Sequence, residues 1–417
     1  MSTLDKIDRR KNIIILFLAF VFCSAFIDKN NPDIHISVYY LYEVLLSLSC
    51  VVAGAYLLFA KRIVVLKHWI TIPFVLIIVW SLAEMLLFDG LKLAPKFFIY
   101  ALVEMFLFIN LVINFVDKDK YDGLIKYTCW VFMGLSLMLT CYYFFQGRFI
   151  NFNPGQSYTK YLLGFGALGC YYLMLTKRKV TYGVLTYIFL ILCVLSLVRK
   201  MWLALFITFI VITVIYLLGP DKKALGKKEF RKSVYMILCL LLALIVSAGV
   251  LLLFVPQMYD ALVESLGNVN LGETSVSDMS RRLLNAAAIE KFAQSPIIGN
   301  GWGDRYFIES LGINSLFHNC YLSVLCQLGA IGFILYYGVF TYPLVRSVMM
   351  LKKKEHFYYG LFILALWLFS AIILYYRPLN RMSYYLWGLP FIFALIYEAW
   401  AFKKNIVLRW KRKSSQA

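Results

Sequence analysis

The side chains with the most chemical capacity are a set of arginines and one histidine. Arg199 lies in VLSLVRKMWLAL, where almost nothing separates two apolar stretches. Arg281 and Arg282 open RRLLNAAAIEKFAQSPIIGNGWGDRYFIESLGINSLFHNCYLSVLCQLGAIG, a run in which His318 and Asn319 directly precede an apolar segment. A guanidinium presents a planar fork that matches phosphate oxygens two at a time. An imidazole with a pKa near ~6.5 can take a proton from a hydroxyl at neutral pH. Cations and a titratable base meeting at a membrane surface suit chemistry on a phosphate-bearing lipid. The arginines would hold the phosphates and steady a leaving group, while His318 would activate an acceptor hydroxyl.

Each residue also has a plainer reading. Arg199 can snorkel to hold helix depth, although a cation at the mouth of a helix bundle is costly unless it is paired or used. His318 can sit at the interface, and Asn319 can either orient the imidazole or cap the helix that follows. Arg305, Arg377 and Arg381 are further candidates for substrate contact together with Arg282 and Asn319; Arg377 and Arg381 bracket a very short turn. His68 and His356 stand beside lysines and read as interfacial, and His35 stands alone. The carboxylates on the same side form no Asp-x-Asp pair or other divalent-ion site. Metal-independent chemistry without a cofactor follows, with arginines taking the charge-stabilising role. The nine cysteines include no Cys-x-x-Cys and read as small hydrophobes. Aromatic residues near Trp302 and Tyr306 could stack on sugar rings.

The elements that must position these groups follow from composition. Of 417 residues, 62% are hydrophobic and the mean hydropathy is +0.75, more than a soluble domain of this size carries. Apolar runs of about 20 residues recur along the chain, and the short alternating segments of a barrel do not. The expected class is an all-α polytopic membrane protein with about 12 spans, near 12–27, 36–59, 69–88, 97–116, 124–145, 158–176, 181–198, 201–218, 233–255, 319–345, 358–376 and 383–401. The first apolar run reads as a retained anchor, since no convincing small-x-small cleavage site follows it.

The net charge of +20 is distributed as topology signal and excludes nucleic acid as the partner. With the N-terminus inside, inner segments carry 29 Lys and Arg and outer segments 13, which is the positive-inside pattern with both termini cytoplasmic. Arginine supplies 8 of the inner 29 but 7 of the outer 13, and that excess points again to planar anion recognition outside. Anionic lipid headgroups account for much of the remaining basic charge.

Three parts result: residues 1–255 with nine spans, an outer loop over 256–318, and residues 319–417 with three spans and a basic tail. A loop of about 60 residues is too long for a connector. Within it, Arg281 to Gln294 reads as a helix with Leu284, Ala288, Ile289 and Phe292 on one face. Ser280 is the expected N-cap, with Ser277 or Asp278 as alternatives, so Arg281 falls near amides and a dipole that favour an anion. Ser295-Pro296 ends the helix, and Gly299, Gly301 and Gly303 free the backbone to turn or approach closely.

Taken in order, LVRKMWLALF, the arginine-led helix ending SPIIGNGWG, and the pattern His318, Asn319, Gly329, Gly332 resemble the O-antigen ligase and polymerase superfamily of bacterial envelope glycosyltransferases. These motifs cover about 135 residues, and the twelve-span layout with one large loop extends the likeness over the chain. The resemblance implies a GT-C-like membrane enzyme of the bacterial inner membrane, with its active site facing the periplasm. It implies a glycan donor linked through pyrophosphate to undecaprenol. The acceptor is the lipid A core oligosaccharide in a ligase of lipopolysaccharide biosynthesis, or a second lipid-linked glycan in a polymerase. By position, Arg199 and Arg281 match the family arginines that hold pyrophosphate, and His318 matches its essential histidine. Lys200 and Met201 depart from the small residues usual after the first arginine. Ligase is the favoured expectation and polymerase the alternative; a flippase for the lipid-linked glycan is the third reading, disfavoured because the chain shows no internal repeat.

Overall fold

The computed structural model describes residues 71–84, 123–130, 160–195, 199–219, 227–254, 276–301, 319–376 and 381–401, with short stretches and single positions elsewhere. The main elements there are β1 (Val64–Leu66), α1 (Thr71–Glu84), α2 (Lys160–Lys177), α3 (Val180–Leu195), α4 (Arg199–Leu218), α5 (Lys227–Phe254), α6 (Val276–Gln294), β2 (Tyr306–Ile308), β3 (Ile313–Ser315), α7 (Cys320–Leu351), α8 (Phe357–Tyr375), α9 (Arg381–Ala401) and β4 (Val407–Arg409). The fold is helical; the exceptions among these elements are two antiparallel pairs of three-residue strands, β1 with β4 and β2 with β3. Among the described residues, four stretches are long and apolar enough to cross a membrane: Lys200–Leu218, Phe230–Ser247, Cys320–Leu351 and Lys354–Tyr375. The chain is a multi-pass membrane protein. Helices α1 to α5 and α7 to α9 fall on eight of the twelve expected spans; those at 12–27, 36–59, 97–116 and 124–145 lie wholly or largely outside the described residues.

Burial separates the centre from the lipid face. Helix α8 packs on α2, α4, α7 and α9, and it is apolar all round because neighbours surround it. Phe340 stacks on Trp367, whose indole N–H donates to the Phe340 carbonyl at 2.9 Å. Helix α5 is as apolar over much of its length, yet Leu238, Leu241, Leu242, Ile245 and Val246 are exposed, as expected of a helix that faces acyl chains. At one end of the bundle Glu398 is buried and pairs with Arg346, and the Tyr342 hydroxyl donates to the same carboxylate. His356, expected at the interface, shares a hydrogen bond with Tyr397 there.

Helix α7 is not one rod. Gly329 has φ 64° and ψ −170°, which breaks the helix after about nine residues. The second segment, of about 22 residues, rises roughly 33 Å and can cross a ~30 Å hydrocarbon core by itself. The first segment is therefore a separate half-helix, although the sequence reads 319–345 as one span.

Candidate active site

The expected loop helix exists, with a different start. Helix α6 begins at Val276, so Arg281 is its sixth residue and not its first. The free amides of the helix start lie a turn earlier, and the expected anion site at the head of this helix does not coincide with Arg281. Its end, at Gln294 before Ser295-Pro296, is as the sequence predicts. The buried face is Leu284, Ala287 and Ala288, packed on Leu322 and Cys326 of α7. Ile289, expected on that face, is exposed; Ala287 takes its place, because a close helix crossing favours the smaller side chain.

The turn after α6 is sewn into the break in α7. In an unbroken helix the Cys326 and Gln327 carbonyls would accept from the Ala330 and Ile331 amides. Instead the Asn300 amide donates to the Cys326 carbonyl and the Gly301 amide to the Gln327 carbonyl, both at 3.0 Å. The displaced Ala330 and Ile331 amides donate to the Pro296 and Ile297 carbonyls at 2.9 and 3.3 Å. Two helical bonds are thus exchanged for four between segments. The Asn300 side-chain amide adds bonds to the Lys291 carbonyl at 2.7 Å and the Cys326 carbonyl at 3.1 Å. Gly299 and Gly329 face each other here with positive φ, and a Cβ on either would collide with the backbone opposite. The Leu328 carbonyl accepts from the Trp80 indole at 3.3 Å. The bridge through Asn300 sets Lys291 level with Cys326, so the two helices run side by side toward their N-termini.

A second chain of bonds joins α4 to α7. Lys200 donates to the Tyr376 carbonyl just past α8 at 3.3 Å. The Tyr321 hydroxyl, in the first turn of α7, donates to the Ala371 carbonyl of α8 at 3.0 Å. Ala371 and Tyr376 are about 7 Å apart along the helix. The first turns of α4 and α7 therefore meet the last turns of α8 at one end of the bundle. Met201 is fully buried in the core and Trp202 donates to the Cys193 carbonyl at 2.8 Å. The departure Lys200-Met201 is thereby accommodated: the lysine reaches across to α8 and the methionine packs.

The structure places the expected residues as follows. Arg199 and Arg381 are the first residues of α4 and α9, and Arg281 lies in α6; the backbone of these three is described and their side chains are not. Arg282 is exposed on α6. Asn319 is buried and caps α7, its side-chain oxygen accepting from the Tyr321 and Leu322 amides at 3.0 and 3.2 Å. His318, Arg305 and Arg377 lie outside the described residues. Among the described residues no three His, Cys, Asp or Glu side chains gather as metal ligands would. Sequence reasoning missed the break at Gly329 and the pairing of 296–301 with 326–331; the spacing of Gly299, Gly301 and Gly329 was the available signal.

No curated protein matches the chain closely. Residues 183–337, which run from α3 through the stitched break into α7, match the family model described as O-Antigen ligase. This segment holds Arg199, Arg281, His318, Asn319, Gly329 and Gly332, and the match supports the resemblance to the O-antigen ligase and polymerase superfamily.

Proposed function

We propose that the protein is an inverting, metal-independent glycosyltransferase of the bacterial inner membrane: an O-antigen ligase moving glycan from undecaprenyl pyrophosphate to the lipid A core oligosaccharide. One observation carries the reading. The hydrogen bonds to Ala371 and Tyr376 draw the starts of α4 and α7 to one end of the bundle, and α6 runs beside α7 toward that same end. Arg199 starts α4, His318 is the chain neighbour of the cap of α7, and residue 281 falls on the helical stripe of Leu284 and Ala288. Residue 282 is a hundred degrees away and exposed. Register therefore favours Arg281 over Arg282 as the phosphate ligand.

In this reading Arg199 and Arg281 grip the donor pyrophosphate. His318 takes the proton of the acceptor hydroxyl, whose oxygen attacks the anomeric carbon from the face opposite the pyrophosphate. The carbon–oxygen bond to the phosphate breaks, and lipid pyrophosphate departs with the electron pair, its charge held by the two guanidinium groups. In the same reading Arg305, Arg377 and Arg381 would contact glycan or phosphate. Both termini lie in the cytoplasm. The second reading, a polymerase joining lipid-linked repeats, is favoured by the shortness of the segment between Arg281 and His318.

A contact of this electrostatic kind is worth roughly 3–4 kcal/mol, or two to three orders of magnitude in rate. The test is the lipopolysaccharide banding of a deletion strain complemented with Arg281→Ala, Arg282→Ala or His318→Ala. We expect loss of attached glycan with the first and third and retention with Arg282→Ala, at equal protein levels. Normal banding with both Arg281→Ala and His318→Ala would sink the assignment. A deletion strain that keeps one attached repeat identifies the polymerase.

A further inference from the structure

Away from that end of the molecule, α3 and α5 diverge around an apolar groove of about 220 Å³. It is lined on α3 by Val180, Gly183, Val184 and Tyr187, and on α5 by Met236, Cys239, Leu240 and Ala243. Both sets follow the spacing i, i+3, i+4, i+7, so each helix gives one complete stripe. The groove opens on lipid: Val180, Val184 and Leu238 at its edge are all more than half exposed. A hydrogen bond between the Tyr187 hydroxyl and Ser247 joins the helices at its deeper end. At the other end the stripes continue into cations. Lys179 precedes Val180, Lys232 lies one turn before Met236 on the same stripe, and Arg231 is beside it; all three are exposed.

We propose that this groove is a binding site for one anionic phospholipid, distinct from the donor site. One acyl chain occupies the groove, and Lys179, Arg231 and Lys232 hold the phosphate headgroup. The volume is below the 300–1,000 Å³ of a pocket that encloses a whole small ligand, so it admits part of a chain while the headgroup stays at the interface. Charge selects the lipid. Three cations at one mouth favour a net negative headgroup, since each basic residue near a bilayer surface contributes attraction worth about fivefold in affinity. The site stands at the start of α3 and of the described part of α5, the ends opposite the last turns of α3 that lead to Arg199. It does not depend on the transferase reading.

Cys239 lines the groove and is exposed, which gives a local reporter. The full-length protein, delipidated in detergent, is titrated with phosphatidylglycerol or phosphatidylcholine. Retained lipid is read by native mass spectrometry and Cys239 alkylation by peptide mapping. We expect phosphatidylglycerol to be retained and to protect Cys239, and phosphatidylcholine to do so at least tenfold less well. Lys179→Gln, Arg231→Gln and Lys232→Gln together should weaken phosphatidylglycerol by about a hundredfold. Ala243→Phe should exclude the lipid with the cations intact; the charge variant, altered only at exposed positions, keeps the test decisive if the filled groove misfolds. Equal protection by both phospholipids would reduce the groove to ordinary lipid contact and overturn the proposal. Better protection by undecaprenyl phosphate would assign it to the polyprenyl carrier and overturn it as well.

Discussion

Replacing Gly329 with alanine tests whether the break in α7 is held by the turn that follows α6. In the native arrangement Gly329 occupies φ 64°, ψ −170°, a region that residues with a Cβ enter only at a cost of about 1–3 kcal/mol. An added Cβ would also press on the Ile297 carbonyl. The competing state is a continuous helix in which Cys326 and Gln327 recover the Ala330 and Ile331 amides. It forms two bonds where the native state forms four. At about 1 kcal/mol net each, the native state leads by ~2 kcal/mol, so roughly 3% of wild-type molecules are released. Alanine penalises the native state by the strain and favours the helix by about 1 kcal/mol, a swing of about 2–4 kcal/mol. The variant should therefore be released in half or more of its molecules. Hydrogen exchange reads this residue by residue. The Asn300 and Gly301 amides should lose protection, while those of Ala330 and Ile331 keep it, because they change partner and stay bonded. Cys326, fully buried in the native state, should become open to alkylation. Unchanged protection at all four amides would refute the exchange; joint loss at all four would show that this end unfolds and does not swap.

Other substitutions separate architecture from chemistry. Asn319→Ala should cost about 1 kcal/mol and raise exchange at Tyr321 and Leu322, while Asn319→Asp keeps both protected. Glu398→Gln leaves Arg346 facing a neutral partner in the bundle; breaking such a pair costs about 3–5 kcal/mol when both groups are buried. Arg346 is one-fifth exposed, so the lower end applies. Thermal unfolding in detergent should show the loss, and adding Arg346→Met should restore most of it. Trp80→Phe deletes the indole donor to Leu328 and should lower stability by about 1 kcal/mol without the exchange pattern of Gly329→Ala.

What the sequence made legible was local, and what it hid was long-range. Apolar runs located eight of the described helices because a bilayer demands continuous hydrophobicity. Proline at 296 ended α6 where expected, since the constraint acts on the preceding residue. The start of α6 was misread because VSDMS offers several capping side chains within five residues. Periodicity assigned Ile289 inward by hydropathy, whereas close packing on Cys326 selected alanines. The break at Gly329 left no trace in hydropathy, because glycine is common in membrane helices and QLGAIG reads as uninterrupted. Its partner lies about 30 residues away, and no periodic rule reports a pairing between a turn and a helix interior.

That pairing also shows how backbone bonds alone can fix a turn against a membrane helix. Irregular backbone near the hydrocarbon must find protein partners for its polar groups. A turn that leaves a helix has unpaired carbonyls and amides of its own, and a break in a neighbouring helix has the complementary set. Bringing the two together satisfies both, with Asn300 filling the corner through its side chain. The consequence is directional. Because Ala330 and Ile331 bond to residues 296 and 297, and residues 300 and 301 bond back to 326 and 327, the turn runs antiparallel to α7 and turns α6 to lie along the half-helix. The motif His318, Asn319, Gly329, Gly332 thus divides in function. Asn319 starts the half-helix, Gly329 ends it, and Gly332 makes room for Leu328 and Trp80. Three of its four residues thus build the support on which the half-helix rests.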